Sequence, residues 1–226
     1  MKHTEIELQA LKEEVSNMWM LVLSQLEKAK QSFLNGDVEL AREIVSREKR
    51  VDAFELKIDS DCENYIALFS PVAIDLRLVL SLIKISITLE RIGDFAEGIA
   101  RHVIDEDCNR FNPQVLEELQ VEKMFDTLIT MLSDSFVALE SENTRISGKI
   151  MSKDNEVDLL YRNSLDILSL YLRENTEDIR CGLKLMLLIR KLERIGDHCG
   201  NIVEEIVFYV DAKVLKHTGK KQLSSL

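Results

Sequence analysis

Proline and glycine are scarce in this chain, which contains 2 prolines and 8 glycines among its 226 residues. Because both residues disfavour helix interiors, their scarcity is typical of a protein built from long, uninterrupted helices. Hydrophobic residues make up 46% of the sequence and charged residues 31%. This mixture can bury a core and still cover it with a solvated surface, so we expect a folded protein rather than a disordered one.

Long apolar runs are absent as well. The most hydrophobic stretch, residues 76–89, is interrupted by Lys84 and is shorter than the roughly 20 residues that a membrane-spanning helix needs. No apolar segment follows the polar N-terminus, so no signal peptide is expected. We therefore expect a cytoplasmic protein that reaches a membrane only through its partners.

Basic residues are outnumbered, with 29 Lys and Arg against 40 Asp and Glu, and the formal net charge is −11. A chain with this charge repels polyanions, so we expect no nucleic-acid partner. An acidic surface suits cations, basic protein surfaces or solubility alone.

Motifs for catalysis and for cysteine-based sites are absent too. The 4 cysteines include no close pair, so neither a zinc knuckle nor a disulfide framework is predicted. We expect each cysteine to be a small buried hydrophobe in a reducing cytoplasm. The sequence shows no glycine-rich phosphate loop and no Ser-His-Asp order, and we therefore expect that the protein is not an enzyme.

Apolar residues recur at three- and four-residue intervals from Leu8 to Leu26 and in later segments, which is the period of an amphipathic helix. No stretch alternates with period two for long enough to indicate a strand, so we predict an all-α protein with six helices. Asp37 is a typical N-cap residue, and Pro71 fits a first helical turn. The first helix is predicted to end near Asn35, and the others to run from Asp37 to about Leu68, from Ser70-Pro71 to about Ile104, from about Val115 to Glu140, from about Asn143 to Glu174 and from about Glu177 to Leu215.

The chain contains an internal repeat. The segment Leu-Glu-Arg-Ile-Gly-Asp occurs at residues 89–94 and again at residues 192–197, which is an offset of 103 positions. We predict two tandem three-helix bundles, in residues 1–108 and 113–218, that form a six-helix up-down array with pseudo-twofold symmetry, followed by a flexible tail in residues 219–226. Further identities at this offset, or at an offset of 106 in the preceding helices, pair Asp75 with Asp178, Arg77 with Arg180, Ile99 with Ile202, Val51 with Val157 and Asp52 with Asp158.

Each repeat carries pairs of acidic residues four positions apart. Residues four apart share a helical face, where two like charges cost a few tenths of a kcal/mol. A cation held between two antiparallel helices would reverse this cost, so the four carboxylates of each repeat are predicted to form a metal site. Oxygen ligands of this kind suit Mg²⁺, Ca²⁺, Mn²⁺ and iron. The pairs are Glu48 with Asp52 and Glu90 with Asp94 in the first repeat, and Asp154 with Asp158 and Glu193 with Asp197 in the second.

The repeated motif also places a glycine inside each helix. Gly93 and Gly196 are less favourable there than alanine by about 1 kcal/mol. A glycine retained in both copies indicates the close approach of another helix.

Other interpretations of the acidic pairs stay open at this point. The acids can be solvated surface residues, or Arg91 and Arg194 inside the motifs can neutralise them. The chain is then a purely structural helical scaffold. A further alternative is a carboxylate-bridged metalloenzyme or metal store, although the Glu-x-x-His pairs of di-iron proteins are absent.

The segments Ser70–Arg77, 89–94 and Leu192–Ile202 resemble the PhoU family of phosphate-signalling regulators, and the resemblance extends over essentially the whole chain. It implies two three-helix bundles side by side in a cytoplasmic repressor of the phosphate-starvation response that is often a homodimer. It also implies an adaptor between the ATPase subunit of the phosphate ABC transporter and a sensor histidine kinase. PhoU-like domains also accompany sodium–phosphate cotransporters, so an accessory protein of such a transporter is the alternative.

Some members of this family bind multinuclear iron or zinc clusters through acidic motifs, and the resemblance therefore implies these cofactors here, with Mn, Mg or Ca as alternatives. The family commonly has Asn four residues after the motif Asp, which Asn201 retains and Gly98 does not. Glu97 is a possible substitute ligand in the first site, and Glu205 a possible extension of the second. We therefore predict that the second site is the better place to look for bound metal. By resemblance, the first site consists of Glu48, Asp52, Glu90 and Asp94, and the second of Asp154, Asp158, Glu193 and Asp197.

Overall fold

The computed structural model describes residues 3–105 and 111–215, and seven α-helices cover most of this part of the chain. Single turns of 3₁₀ helix, Thr144–Ile146 and Thr176–Asp178, precede the last two. No strand occurs in the described ranges, so the predicted all-α class is confirmed. The helices are α1 (His3–Asn35), α2 (Val38–Phe69), α3 (Ala73–Ile104), α4 (Pro113–Glu118), α5 (Val121–Glu140), α6 (Ser147–Glu174) and α7 (Ile179–Asp211).

The connection between the first two helices follows from its sequence. α1 ends at Asn35, and Gly36 then adopts a left-handed backbone with a φ of 66°. The Oδ1 atom of Asp37 accepts a hydrogen bond from the backbone N–H of Leu40 at 3.0 Å, which caps α2. The predicted helix end and the predicted cap are both confirmed.

Several other predicted helix boundaries are wrong. Pro71 lies outside the third helix, because α3 begins two residues after it, behind an extended N-cap residue. The predicted fourth helix is divided into α4 and α5, because Gln120 adopts a left-handed backbone with a φ of 53°. The last helix ends at Asp211 rather than near Leu215. The predicted tail, residues 219–226, lies outside the described residues.

Three helices pack into a bundle in each half of the chain, α1 with α2 and α3, and α5 with α6 and α7. Each helix buries one apolar stripe, and Trp19 and Phe125 are among the largest fully buried side chains. Burying one large apolar side chain contributes about 1.5–3 kcal/mol, so these stripes hold the bundles together. Within the described ranges, no helix combines the length and the apolar character needed to cross a membrane.

The two bundles meet mainly through α3 and α7, which run antiparallel. At one end of this contact, Lys84 Nζ lies 3.0 Å from Oε2 of Glu205. Nearer the middle, the rings of Phe95 and His198 pack with their centroids 5.6 Å apart. Because both acidic motifs lie on these two helices, the contact between the bundles also fixes the motifs relative to each other.

The cysteines differ from one another in their bonding. Cys62 and Cys199 are buried free thiols, as predicted. Cys181 is half-buried and disulfide-bonded, so the prediction of a buried hydrophobe is wrong for this residue. Sequence spacing does not reveal a cysteine pair that only the folded chain brings together.

Candidate metal centres

The motif glycine of each repeat lies beside the buried acid of the preceding helix. A Cβ atom built on Gly196 would lie 2.8 Å from Oδ1 of Asp154, and one built on Gly93 would lie 3.3 Å from Oε1 of Glu48. Ordinary Cβ contacts are longer than either distance. The predicted close approach at the two glycines is therefore confirmed. The nearest group at Gly196 is a carboxylate, and at Gly93 the methyl group Cγ1 of Val51 lies as near, at 3.3 Å, as the carboxylate of Glu48.

The second repeat brings three of its four predicted acids together. One carboxylate oxygen from each of Asp154, Asp158 and Asp197 lies within 4.8 Å of the others. Asp154 is 1% exposed, whereas the other two acids are half-buried. Among the residues that the structure describes, no other three acidic, histidine or cysteine side chains approach one another so closely. A cation bound by all three would offset their mutual repulsion.

Glu193 lies at the edge of this group. Burial, together with the charges of Asp197 and Asp158, raises the pKa of Glu193. Arg194 partly balances the negative charge, because its Nη1 donates a hydrogen bond to Oδ2 of Asp197 at 3.0 Å. We call the following residues the second acidic cluster: Asp154, Asp158, Glu193 and Asp197.

The four matched acids of the first repeat form a looser group. Glu48 is 7% exposed, and Glu90 is half-buried. Burial, followed by the charges of Asp94 and Glu97, raises the pKa of Glu48 to about 7. Burial and the charge of Asp94 raise the pKa of Glu90 to about 7. An acid in such surroundings gains from a bound cation, which stabilises its ionised form. We call the following residues the first acidic cluster: Glu48, Asp52, Glu90 and Asp94.

Glu97 lies near the first acidic cluster, since its charge reaches Glu48. Its counterpart at the offset of 103 is Gly200, and a Cβ atom on that glycine would lie 3.9 Å from Oδ2 of Asp154. The two repeats therefore differ at this position by one carboxylate.

Glu205 was predicted to extend the second acidic cluster, and the structure places it elsewhere. Eight residues beyond Asp197, it lies about two helical turns further along α7. There its side chain is 7% exposed and binds Lys84 of α3. Asn201, the other candidate on α7, is exposed.

Two residues near the first acidic cluster were not predicted. Gln25 of α1 is fully buried, and its Nε2 donates a hydrogen bond to Oε2 of Glu48 at 3.2 Å. Glu55 of α2 contributes to the raised pKa of Glu90. Glu55 follows Asp52 by three positions, so helical spacing could have indicated it. No motif marks a single glutamine on an apolar stripe.

The side chains of both clusters fit a hard or borderline cation. Their donor atoms are carboxylate oxygens, which Mg²⁺, Ca²⁺, Mn²⁺ and iron accept, and which zinc also takes. A buried carboxylate lies deepest in each cluster, Glu48 in one and Asp154 in the other. Burying a carboxylate charge is costly, and a cation beside these two carboxylates would offset part of that cost.

A family comparison identifies the repeat. The PhoU domain matches residues 15–103 and again residues 121–206. The chain belongs to the PhoU family. It is 33% identical to the phosphate-specific transport system accessory protein PhoU of Edwardsiella tarda over 229 residues, which cover 100% of this chain and 93% of that protein. The protein of the same name from Escherichia coli strain K12 is 32% identical over 220 residues, or 97% of this chain and 90% of that protein.

Solved PhoU structures have the same fold. The crystal structure of PhoU from Pseudomonas aeruginosa matches with a TM-score of 0.87 and 29% identity, over 92% of this chain and 99% of that one. The phosphate transport system regulatory protein PhoU from Streptococcus pneumoniae matches with a TM-score of 0.83 and 28% identity, over 94% and 99% of the two chains. The predicted arrangement of two three-helix repeats is therefore confirmed. All eight acids of the two clusters lie inside the matched PhoU domains.

Proposed function

We propose that this PhoU-family chain is an accessory regulator of phosphate transport that works as a metal-binding adaptor. One observation carries the proposal: Asp154, Asp158 and Asp197 converge inside a domain whose relatives are named phosphate-specific transport system accessory proteins. The names of these relatives describe accessory and regulatory proteins, which supports regulation rather than catalysis.

The second acidic cluster is the principal metal site in this proposal. Asp154, Asp158 and Asp197 supply its closest oxygens, and Glu193 supplies a fourth carboxylate from the edge. Multinuclear iron or zinc is the proposed cofactor, with Mn, Mg or Ca as alternatives. Bound ions would neutralise the clustered carboxylates and so change the charge of the surface that partners meet.

The proposed partners are the ATPase subunit of the phosphate ABC transporter and a sensor histidine kinase. Two similar bundles in one chain suit an adaptor, because each can present its own helical surface to a different protein. In this role the chain represses the phosphate-starvation response from the cytoplasm, as a homodimer. The proposed location rests on the partners and not on the cysteines, since disulfides such as that of Cys181 are uncommon in the cytosol.

A reporter of the phosphate-starvation response tests the regulatory role. In phosphate-replete medium, cells without this chain should express the reporter, and cells supplied with the wild-type chain should repress it. A chain with Asp158→Asn and Asp197→Asn should fail to repress at equal abundance. Asp166→Asn, an exposed acid of the same helix α6, is the matched control and should repress normally. Full repression by the double variant would refute the role of the metal site.

Crosslinking followed by affinity capture tests the partners. From phosphate-replete cells the wild-type chain should capture the transporter ATPase subunit and the histidine kinase. Capture of a sodium–phosphate cotransporter in place of both would support the alternative role and overturn the proposed one.

A further inference from the structure

Gln25 is a polar residue in the apolar seam of the first bundle. It is 0% exposed and lies on α1 between the buried residues Val22 and Leu26. Its Nε2 donates a hydrogen bond to Oε2 of Glu48 at 3.2 Å. A buried amide is costly unless its donors and acceptors are satisfied, so a polar side chain at this position calls for a physical reason.

Two buried oxygen atoms, one of this glutamine and one of its glutamate partner, accept no hydrogen bond from any residue in the ranges 3–105 and 111–215. They are Oε1 of Gln25 and Oε1 of Glu48. A Cβ atom on Gly93 would lie 3.3 Å from the glutamate oxygen and 3.4 Å from the glutamine oxygen. Both acceptors therefore face the space that the glycine leaves open. Two acceptors that share a space require a positive or hydrogen-bearing species between them.

The second repeat does not contain this arrangement. The helices that precede the motif helices match at an offset of 106, and at that offset the counterpart of Gln25 is Met131. A Cβ atom on Gly196 would lie 3.4 Å from Cδ2 of Leu128 and 2.8 Å from Oδ1 of Asp154. An apolar leucine thus lies beside the motif glycine where the first repeat has the amide, and three carboxylates converge in this repeat instead.

The charges around the two oxygens favour a cation. Burial, and then the negative charges of Asp94, Glu97 and Asp52, raise the pKa of Glu48. A neutral amide oxygen together with carboxylates is a donor set that hard cations such as Ca²⁺, Mg²⁺ and Mn²⁺ accept. The first acidic cluster lacks the close carboxylate triad of the second, so an oxygen from outside the acidic motifs has a place in its ligand set.

We infer that Gln25 is a ligand and positioning residue of the first acidic cluster: its Nε2 orients Glu48, and its Oε1 binds the cation that Glu48 binds. This inference rests on the metal binding proposed above and adds to it. It makes the first repeat a site for hard, oxygen-liganded cations, whereas the second repeat uses carboxylates alone.

Calorimetric titration with Mn²⁺ and with Ca²⁺ tests this inference. The titrations use the full chain with Asp158→Asn and Asp197→Asn, so that the first acidic cluster dominates. Adding Gln25→Leu, which removes both polar atoms of this side chain, should weaken binding about tenfold or more, as loss of a ligand or of its supporting partner does. Gln25→Glu keeps an oxygen at this position and should retain binding. Gln31→Leu, an exposed glutamine of α1, should have no effect.

Two results overturn the inference while metal binding elsewhere stands. Equal affinity with and without Gln25→Leu would show that the glutamine is only a packed residue. Equal weakening by Gln25→Leu and Gln25→Glu would show that it only donates to Glu48. If the chain with the second cluster removed binds neither ion, the inference also fails, and titration of the wild-type chain then shows whether the proposed metal function survives. For any variant that is less stable, the rise in Tm on adding Mn²⁺ replaces the calorimetric readout.

Discussion

A single missing Cβ atom decides where the buried acid of each repeat can lie. Gly196 leaves room for the carboxylate of Asp154, and Gly93 leaves room for that of Glu48. Each glycine costs its helix about 1 kcal/mol relative to alanine. The motif glycine therefore weakens its own helix and, at the same time, makes room for the buried carboxylate of the acidic cluster.

Gly196→Ala should weaken cation binding more than it weakens the fold. The added methyl group must displace the Asp154 carboxylate, so we expect roughly tenfold weaker binding of Mn²⁺ or Zn²⁺. The helix preference of alanine should hold the free energy of unfolding within about 1 kcal/mol of wild type. Calorimetry measures the first quantity and urea denaturation the second.

Gly98→Ala is the matched control for this variant. A Cβ atom there meets only the flexible end of Lys191, so the affinity for the cation should not change. Equal affinities in the wild type and Gly196→Ala would contradict the role given to the motif glycine.

The contribution of Glu48 and Glu90 to the stability of the metal-free chain should fall as the pH rises from about 4.5 to about 7. The pKa values of Glu48 and Glu90 are raised to about 7 in the folded chain, from an ordinary value of 4.5. Between these values the folded state binds more protons than the unfolded state, so a rise in pH favours unfolding, by on the order of 1 kcal/mol per pH unit. Above the folded pKa both states are ionised and the loss ends.

Urea denaturation in the presence of a chelator, at about pH 5 and about pH 7.5, measures this change across the window in which the two states differ in bound protons. Glu48→Gln cannot ionise and should lose less stability between the two conditions than the wild type. An identical loss in the variant would show that Glu48 does not contribute.

At the scale of helices, features that repeat with a period could be predicted, and features made by one residue could not. The acidic pairs are predictable because four-residue spacing places both acids on one face. The start of α2 is predictable because Asn-Gly-Asp combines a helix end with a cap. The division between α4 and α5 is not, because glutamine is not a residue typical of turns, and yet Gln120 adopts a left-handed backbone.

Gln120→Val should therefore destabilise the chain. A β-branched residue is disfavoured in a left-handed backbone, and we expect a loss of about 1–2 kcal/mol. Gln120→Gly, which removes the Cβ penalty, should be neutral or slightly stabilising. Thermal or urea denaturation measures both variants. Greater stability of the valine variant would mean that α4 and α5 form one continuous helix.

At the scale of the whole molecule, the contact between α3 and α7 joins the two repeats into one unit. The ion pair between Lys84 and Glu205 lies in this contact, and Ser81 donates a hydrogen bond to the carbonyl oxygen of Glu205 at 3.2 Å. The sequence did not predict this role, because the pairing of two residues from different repeats depends on how the bundles dock. Glu205 therefore belongs to the contact between the repeats and not to the second acidic cluster.

Lys84→Met should cost about 1–3 kcal/mol of stability, because it removes a lysine charge that lies 3.0 Å from a largely buried carboxylate. The cost stays in the lower part of the range for buried pairs because about half of the lysine side chain is exposed. Replacing both partners, Lys84→Met with Glu205→Met, should recover much of the loss. A double variant that is destabilised by the sum of the two single changes would show that the pair is not coupled.

Titration of the metal-free chain with Fe²⁺, Zn²⁺ and Mn²⁺ tests the central claim, which is that the second acidic cluster binds metal. Wild type should bind at least one of these ions, and Asp158→Asn with Asp197→Asn should lose the tightest binding step, by about tenfold or more. If the wild type binds none of the ions, or the double variant binds them as tightly as the wild type, the second acidic cluster is not a metal site.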